Sequence, residues 1–304
     1  MSGRGGWIAV ALLAGCGSTP DEPEVRAGTL FAFDSDFGDE AARVREYVPA
    51  CADVLVDMLA TPDVPPPAQV TIRLEHDPDL GGIGGWASGE RMAIGFECPS
   101  WQPMSYAHLW IVAHELTNLY VAHYAGSGGF PSDWWSNGRS PFPEYASCLV
   151  MAGAGHPDAA EWRREDGRGQ PDHDLYWELH ERHGFALFAR FFELLRQDAL
   201  DLGEIEPAWP MPSGRRSLYT AAYLSLSAGE NLAPLVRAAG IGREPPGWSE
   251  AHPDWPFVPY SIEDTDVDAV LARRAELFGD GVEATQDLEA ARDRFRAGDH
   301  GGSR

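Results

Sequence analysis

The chain has 304 residues, 44% of them hydrophobic, and it contains 11 tryptophans. That length and apolar content suit a folded globular protein with a sizeable core, and they exclude a disordered chain. The formal net charge is −24, and all 23 basic residues are arginine. A protein this acidic repels nucleic acid and anionic lipid headgroups, so we expect no nucleic-acid partner and no direct binding to a lipid surface.

The first 16 residues have the composition of a bacterial export signal. Arg4 supplies a short positive segment, residues 7–14 are apolar, and the Leu-Ala-Gly-Cys sequence ending at Cys16 resembles a lipobox. In a lipobox the cysteine becomes the lipidated first residue, so Cys16 is the predicted lipidation site; an ordinary signal peptide is the alternative. We therefore expect an extracytoplasmic protein of the cell envelope, membrane-anchored only through its lipid, with residues 17–28 as a flexible tether.

The next part of the chain mixes short strands and helices. Its alternating and helical hydrophobic patterns predict, in order, a strand at 29–33, a helix at about 39–60, a strand at 70–74, a hairpin that ends at 91–96, a buried helix at about 105–124 and a helix from Pro143. Pro49 is expected to kink or divide the first helix, because proline removes one backbone hydrogen bond.

Beyond about residue 155 the pattern is almost entirely helical. Helical periodicity is found at about 172–183, 185–200, 214–228, 231–239, 262–278 and 284–297. The predicted fold class is therefore α+β. A domain with a small mixed sheet and a buried helix covers residues 29–155, and a mostly helical subdomain covers residues 156–300.

The buried helix carries three polar residues in its apolar middle, His114, Glu115 and Asn118. His114 and Asn118 lie one turn apart on the same face, with Glu115 about 100° round from His114. An ionisable pair buried in a helix is costly without partners or a metal. The sequence is one residue short of His-Glu-x-x-His, the helix motif of zinc peptidases, because Asn118 stands where the second histidine would be.

This helix and the elements around it resemble the gluzincin branch of zinc metallopeptidases over about residues 68–155. In that family two helix histidines and a glutamate from the next helix bind zinc, and the glutamate beside the first histidine is the general base for the metal-bound water. The resemblance implies a zincin-like domain in which His114, Asn118 and Glu144 bind Zn and Glu115 is the catalytic base.

Two other residues are alternatives for the third metal ligand. The Trp-rich turn between the two helices contains Asn137, which would replace Glu144 if the turn aligns with the ligand-bearing segment of the family, and Asp133 in the same turn is a further candidate. An amide oxygen is a weaker ligand than imidazole and suits harder cations, so another divalent cation, or none, is the alternative to zinc.

The resemblance also implies a peptide or protein substrate. The strand at 91–96 is expected to pair with an extended peptide by strand addition. One of four side chains is expected to stabilise the oxyanion: His173, Tyr176, Tyr219 or Tyr223.

The remaining histidines and cysteines are expected to be structural or solvated. His108 and His123 are predicted to be packing or surface residues, and His180 and His183 to be solvated. Cys51, Cys98 and Cys148 allow one disulfide in an oxidising compartment, with no choice of pair from the sequence.

Two functions follow as hypotheses. The first is a cell-envelope lipoprotein that hydrolyses peptide bonds as a metallopeptidase. The alternative is a catalytically inactive pseudoenzyme that keeps the fold and binds a peptide or glycan in the cleft. Asn118 is the residue that separates them, because it weakens the metal site without disturbing the helix.

Overall fold

The chain folds as an α+β protein with a small mixed sheet followed by packed helices. The structure is a computed structural model that describes residues 24–26, 28–35, 42–61, 64–76, 83–96, 105–125, 141–198, 215–240, 250 and 262–278. Within these residues no helix is long and apolar enough to cross a membrane.

Five strands form one sheet. Their bounds are β1 Glu24–Arg26, β2 Thr29–Ser35, β3 Gln69–His76, β4 Ile83–Ser88 and β5 Arg91–Phe96. The order across the sheet is β1-β2-β3-β5-β4, with β2, β3 and β5 parallel and the two outer strands antiparallel to their neighbours. The strands predicted at 29–33 and 70–74 and the predicted hairpin are confirmed, with small extensions.

The first strand corrects the prediction of a flexible tether over 17–28. Residues 24–26 pair antiparallel with 29–31 of β2, so the folded part begins inside the predicted tether. The segment contains Pro, Asp and Glu and has no hydrophobic alternation. Its strand state comes from backbone pairing with β2, which a local pattern does not reveal.

One helix, α1 (Ala42–Leu59), connects β2 to β3, and its buried residues join those of the sheet in one hydrophobic core. Pro49 lies buried inside this continuous helix, so the buried residues on both sides of it stay on one element and the chain does not divide there. The lost hydrogen bond is tolerated because Val48 and Cys51, on either side, are fully buried.

The predicted buried helix is confirmed as α2 (Tyr106–Ala125), and the next helix as α3 (Pro141–Gly153). Helix α2 packs on α1, α3 and both strands of the hairpin, which accounts for its apolar residues on nearly every face. It therefore lies at the centre of the molecule, with strand β4 on one side and α3 on the other.

The helical part begins with a helix that the sequence did not predict. The helices are α4 Pro157–Gly167, α5 Pro171–His183, α6 Ala186–Gln197, α7 Arg215–Ala228, α8 Ala233–Ala238 and α9 Asp264–Phe278. All but α4 match predicted segments, and the one predicted at 284–297 lies outside the described residues. A single hydrophobic cluster runs from Phe31 to Val270, so the two predicted subdomains share one core.

Candidate functional site

The polar residues singled out in the sequence meet between α2 and α3. His114 and Glu115 come from the middle of α2, and Glu144 comes from the first turn of α3. All three are buried, with exposed fractions of 8%, 5% and 5%. The packing of α2 against α3 therefore concentrates one imidazole and two carboxyl groups in a region largely shielded from water.

His114 and Glu144 face each other without touching. The distance from Nδ1 of His114 to Oε1 of Glu144 is 3.9 Å, which is too long for a hydrogen bond. Nδ1 of His114 is buried and has no hydrogen-bond partner in the described part of the chain. An unsatisfied buried polar atom is costly, so this pair of facing atoms marks a place where a ligand would be stabilised.

The other oxygen of Glu144 is heavily engaged. Its Oε2 accepts hydrogen bonds from Trp110 Nε1 at 2.9 Å and from Arg163 Nε at 2.7 Å, and Arg163 Nη2 lies 2.6 Å away. The carboxylate is thus held by three N–H groups through one oxygen. Among the described residues no hydrogen bond reaches Oε1, which is left for His114 or for a ligand.

Arg163 is the site residue that sequence reasoning missed. It lies on α4, the helix that was not predicted, and is only 6% exposed. A signal was present: Arg163 follows Ala159 and Ala160 at helical spacing and so shares their buried face. An arginine on such a face requires an acidic partner, but the sequence does not say which one.

Glu115 lies beside this pair. Burial raises the pKa of its carboxyl above the ordinary value; His114 and a hydrogen bond from Asn118 oppose the shift, and Glu144 adds to it. A carboxyl with a raised pKa holds a proton closer to neutral pH, which is the property required of a general base or acid. The charge balance of the cluster therefore suits proton transfer at Glu115.

Strand β4 approaches Glu115 closely at Gly85. A Cβ placed on Gly85 would lie 2.8 Å from Cγ of Glu115 and 3.1 Å from the carbonyl oxygen of Ala93, both closer than normal contacts. Glycine at this position therefore allows the backbone of β4 to pass directly against the carboxyl group.

The sheet order corrects the predicted peptide-binding strand. Residues 91–96 form β5, which is paired on both sides, with β3 and with β4. The outer strand on this side of the described sheet is β4, so an added strand would pair there and not on β5. Local alternation predicts both strands of a hairpin but not which of them another strand covers.

Two of the three predicted metal ligands fit a divalent cation. The gap between His114 and Glu144 is within reach of one ion after a small approach, because Zn–N and Zn–O bonds are each about 2.0–2.2 Å. In the third, Asn118, Nδ2 donates to Oε2 of Glu115 at 3.3 Å, so Oδ1 is the atom left to bind a cation. Within the described residues, no three His, Cys, Asp or Glu side chains form a metal-binding group.

Three predicted residues lie outside the described part of the chain. These are the alternative ligands Asn137 and Asp133 and the predicted lipidation site Cys16.

The four candidates for the oxyanion group lie in the helical part. Tyr223 donates to Asp198 at 2.5 Å, and His173 accepts a hydrogen bond from Trp177 at 3.2 Å. Tyr176 packs within the aromatic core, and Tyr219 is fully buried. Within the described residues, these hydrogen bonds and ring contacts reach Asp198, Trp177, Phe142 and Phe188, and not His114, Glu115 or Glu144.

The other histidines and the cysteines have structural surroundings. His108 receives the backbone N–H of Ser105 at the start of α2, and His123 contacts the carbonyl of Pro65 at 2.8 Å. The expectation that His180 and His183 are solvated is wrong. Both are partly buried: His180 bonds to the Tyr145 hydroxyl at 2.7 Å, and His183 pairs with Glu230 at 2.9 Å. The reason is that α5 packs on α3, and that His183 at its end meets Glu230, which follows α7 in the chain.

Cys51 and Cys148 are buried free thiols, so these two do not form the expected disulfide. Burial raises the pKa of each thiol to about 12, which keeps both protonated and unreactive. Cys98 lies outside the described residues.

Comparisons with known proteins add a distant structural likeness. No protein-family model and no curated protein matches this chain. Two crystal structures from Bacillus anthracis, a functionally unknown conserved protein and a mutant of such a protein, are similar at 14% and 15% identity, each with a TM-score of 0.37. The similarity covers 78% of this chain and 52% of theirs, so the chain spans about half their length. Neither structure identifies a family or a function.

Proposed function

We propose that this protein is a zincin-like, metal-dependent hydrolase of peptide bonds. The observation that carries the proposal is the position of Glu115. This buried carboxyl, whose pKa is raised, lies beside the facing pair of His114 and Glu144 and directly against Gly85 of the outer strand β4. A proton-transfer group, two candidate cation ligands and a strand edge thus occupy one place.

The chemistry divides among these residues. A divalent cation, when bound, would polarise the scissile carbonyl and make a water molecule more acidic. His114 and Glu144 would hold that cation, with Asn118, Asn137 or Asp133 as the candidate third ligand. Glu115 accepts the proton of the attacking water and then delivers it to the leaving amine, a role that suits a carboxyl with a raised pKa.

Strand β4 supplies the recognition element in this proposal. Its outer edge presents backbone N–H and C=O groups to an extended peptide, which would lie antiparallel or parallel to the strand and pass Glu115 at Gly85. Trp86, which is exposed on β4, offers an apolar surface for a substrate side chain. The proposed substrate is therefore an unfolded or extended segment of protein.

The proposed location is the bacterial cell envelope. It depends on the signal sequence over residues 1–16 and on lipidation of Cys16, which would hold the enzyme at the membrane with its site outside the cytoplasm. The test is metabolic labelling with a fatty acid: wild type should incorporate the label, and Cys16→Ala should not.

Replacement of Glu115 tests the catalytic proposal. Glu115→Gln preserves shape and removes the base, so hydrolysis of a labelled unfolded protein such as casein should fall by about 10² or more. Glu165→Gln, on the exposed face of α4, is the matched control and should keep full activity. The proposal would be contradicted if wild type and Glu115→Gln had equal activity and elemental analysis found no bound transition metal.

A second candidate, a metal-free binding protein for a peptide or glycan, is favoured by the hydrogen bond from Asn118 to Glu115. This bond ties the carboxyl to a neutral amide where a second histidine would otherwise complete a zinc site. Under this alternative Asn118→His raises zinc affinity sharply from almost none. One zinc ion per chain in the native protein would contradict it.

A further inference from the structure

The charge on Glu144 is already neutralised from within the protein. Arg163 contacts Oε2 of Glu144 through both Nε and Nη2, and both side chains are more than nine-tenths buried. A buried carboxylate without a positive partner is strongly destabilising. Arg163 therefore provides the compensation that a bound cation would otherwise provide.

The guanidinium is fixed on three sides. Its Cζ lies 4.2 Å from the centre of the Trp110 ring, and Nη1 pairs with Asp166, which is half exposed. Trp110 also donates to the same Glu144 oxygen, so ring and guanidinium hold the carboxylate together. The positive charge of Arg163 thus stays within contact distance of a predicted cation ligand, whether or not a cation is present.

We propose that Arg163 is an internal counter-cation that keeps the site folded without metal and lowers its affinity for divalent cations. The inference rests on the proposed function only in treating His114 and Glu144 as cation ligands. A divalent ion between them would approach a carboxylate whose charge is shared with Arg163, and would also be repelled by the guanidinium. Arg163 therefore raises the free metal concentration at which the site is half occupied.

The neighbouring Arg164 provides a matched control. It lies on the same helix, with its Cζ 4.2 Å from the ring of Trp177, and pairs with Glu181 at 3.1 Å. Its ring contact and ion pair resemble those of Arg163, but neither involves Glu144. A change at Arg164 therefore reproduces the loss of an arginine from α4 without changing the charge at the site.

The test is a zinc titration of purified wild type, Arg163→Met and Arg164→Met against a chromogenic chelator. Arg163→Met should bind zinc at least tenfold more tightly than wild type, and Arg164→Met should bind as wild type does. Zinc should also raise the melting temperature of Arg163→Met more than that of wild type, since the ion then replaces the missing charge. The double variant Arg163→Met/Glu144→Gln should lose both effects.

Zinc binding by Arg163→Met that is no tighter than wild-type binding would overturn the inference. If wild type then binds zinc tightly and its activity depends on Glu115, the inference about Arg163 fails and the proposed function is still supported. If Arg163→Met does not fold, Arg163→Gln takes its place in the titration, because the glutamine amide keeps hydrogen-bond donors but carries no charge. Its zinc affinity should exceed that of wild type, and equal affinity would again overturn the inference.

Discussion

Among the described residues, two buried arginine–carboxylate pairs occur, and they are built differently. In the helical part, Arg274 of α9 donates to Oδ2 and Oδ1 of Asp198 at 2.6 and 2.9 Å, and Tyr223 also donates to Oδ2. Both oxygens of this fully buried carboxylate are satisfied. At the candidate site all donors converge on one oxygen of Glu144, and the other faces His114 across 3.9 Å.

The difference separates a structural ion pair, the closed pair of Asp198 and Arg274, from a candidate site, the open pair of Glu144 and Arg163. The Asp198–Arg274 pair joins helix α9 to the end of α6, and its bidentate geometry leaves no acceptor for a ligand. The Glu144–Arg163 pair leaves an acceptor oxygen and an unsatisfied imidazole nitrogen facing each other. A buried carboxylate with an unused oxygen is therefore more informative about function than a buried ion pair by itself.

The largest expected effect is on the closed pair. Asp198→Asn leaves the Arg274 guanidinium buried without its countercharge, so the free energy of unfolding should fall by about 3–5 kcal/mol. Urea denaturation followed by circular dichroism measures the loss. Adding Arg274→Met to Asp198→Asn should recover part of the lost free energy of unfolding. A loss below about 1 kcal/mol for Asp198→Asn alone would show that the pair does not stabilise the fold.

A smaller effect is expected at the open pair. Glu144→Gln should lower the free energy of unfolding by about 1–2 kcal/mol, because Arg163 keeps Asp166 as a second partner that is half exposed. The same denaturation experiment compares the two sites directly. A loss equal to or larger than that of Asp198→Asn would break the distinction between a closed and an open pair.

A change of strand β4 probes the close contact beside the open pair. Gly85→Ala places a methyl group against Cγ of Glu115 and the carbonyl of Ala93, and should cost about 1 kcal/mol of stability while lowering any hydrolytic activity. The cost is modest because an outer strand can shift. Trp86→Ala, at the exposed neighbouring residue, should leave the free energy of unfolding unchanged. Equal free energies of unfolding for the two variants would argue against the contact at Gly85.

The smallest expected effect is the pH dependence of stability due to Glu115. Its folded-state pKa is raised by burial above the ordinary value of 4.5, so between these two values the folded protein binds more protons than the unfolded chain. Stability from this residue is therefore greatest below pH 4.5 and declines as the pH rises through the folded-state pKa. Glu115→Gln should remove that decline in a series of urea titrations.

Glu165→Gln is the control for the pH series, because this carboxylate lies on the exposed face of α4. It should leave the pH profile of wild type unchanged. Parallel profiles for wild type and Glu115→Gln would mean that burial does not disfavour the charged form of Glu115.

The sequence by itself determined the elements of the site. Helix α2 was predictable because most of its long run of residues is apolar, and the hairpin of β4 and β5 because alternation and a turn are local signals. We could single out His114, Glu115 and Glu144 because burying an ionisable side chain costs free energy unless a partner or a ligand compensates it. These inferences depend on neighbours within a few residues along the chain.

Only the tertiary structure decided what surrounds Glu144 and which strand is open. Helix α4 is short and strongly polar, so its periodicity is weak, and Arg163 reaches Glu144 across 19 residues of chain. The covering of β5 by β3 likewise depends on pairing between distant segments. Hydrophobic periodicity records which side of an element is buried, but long-range packing selects the partner that each buried charge and each strand edge will meet.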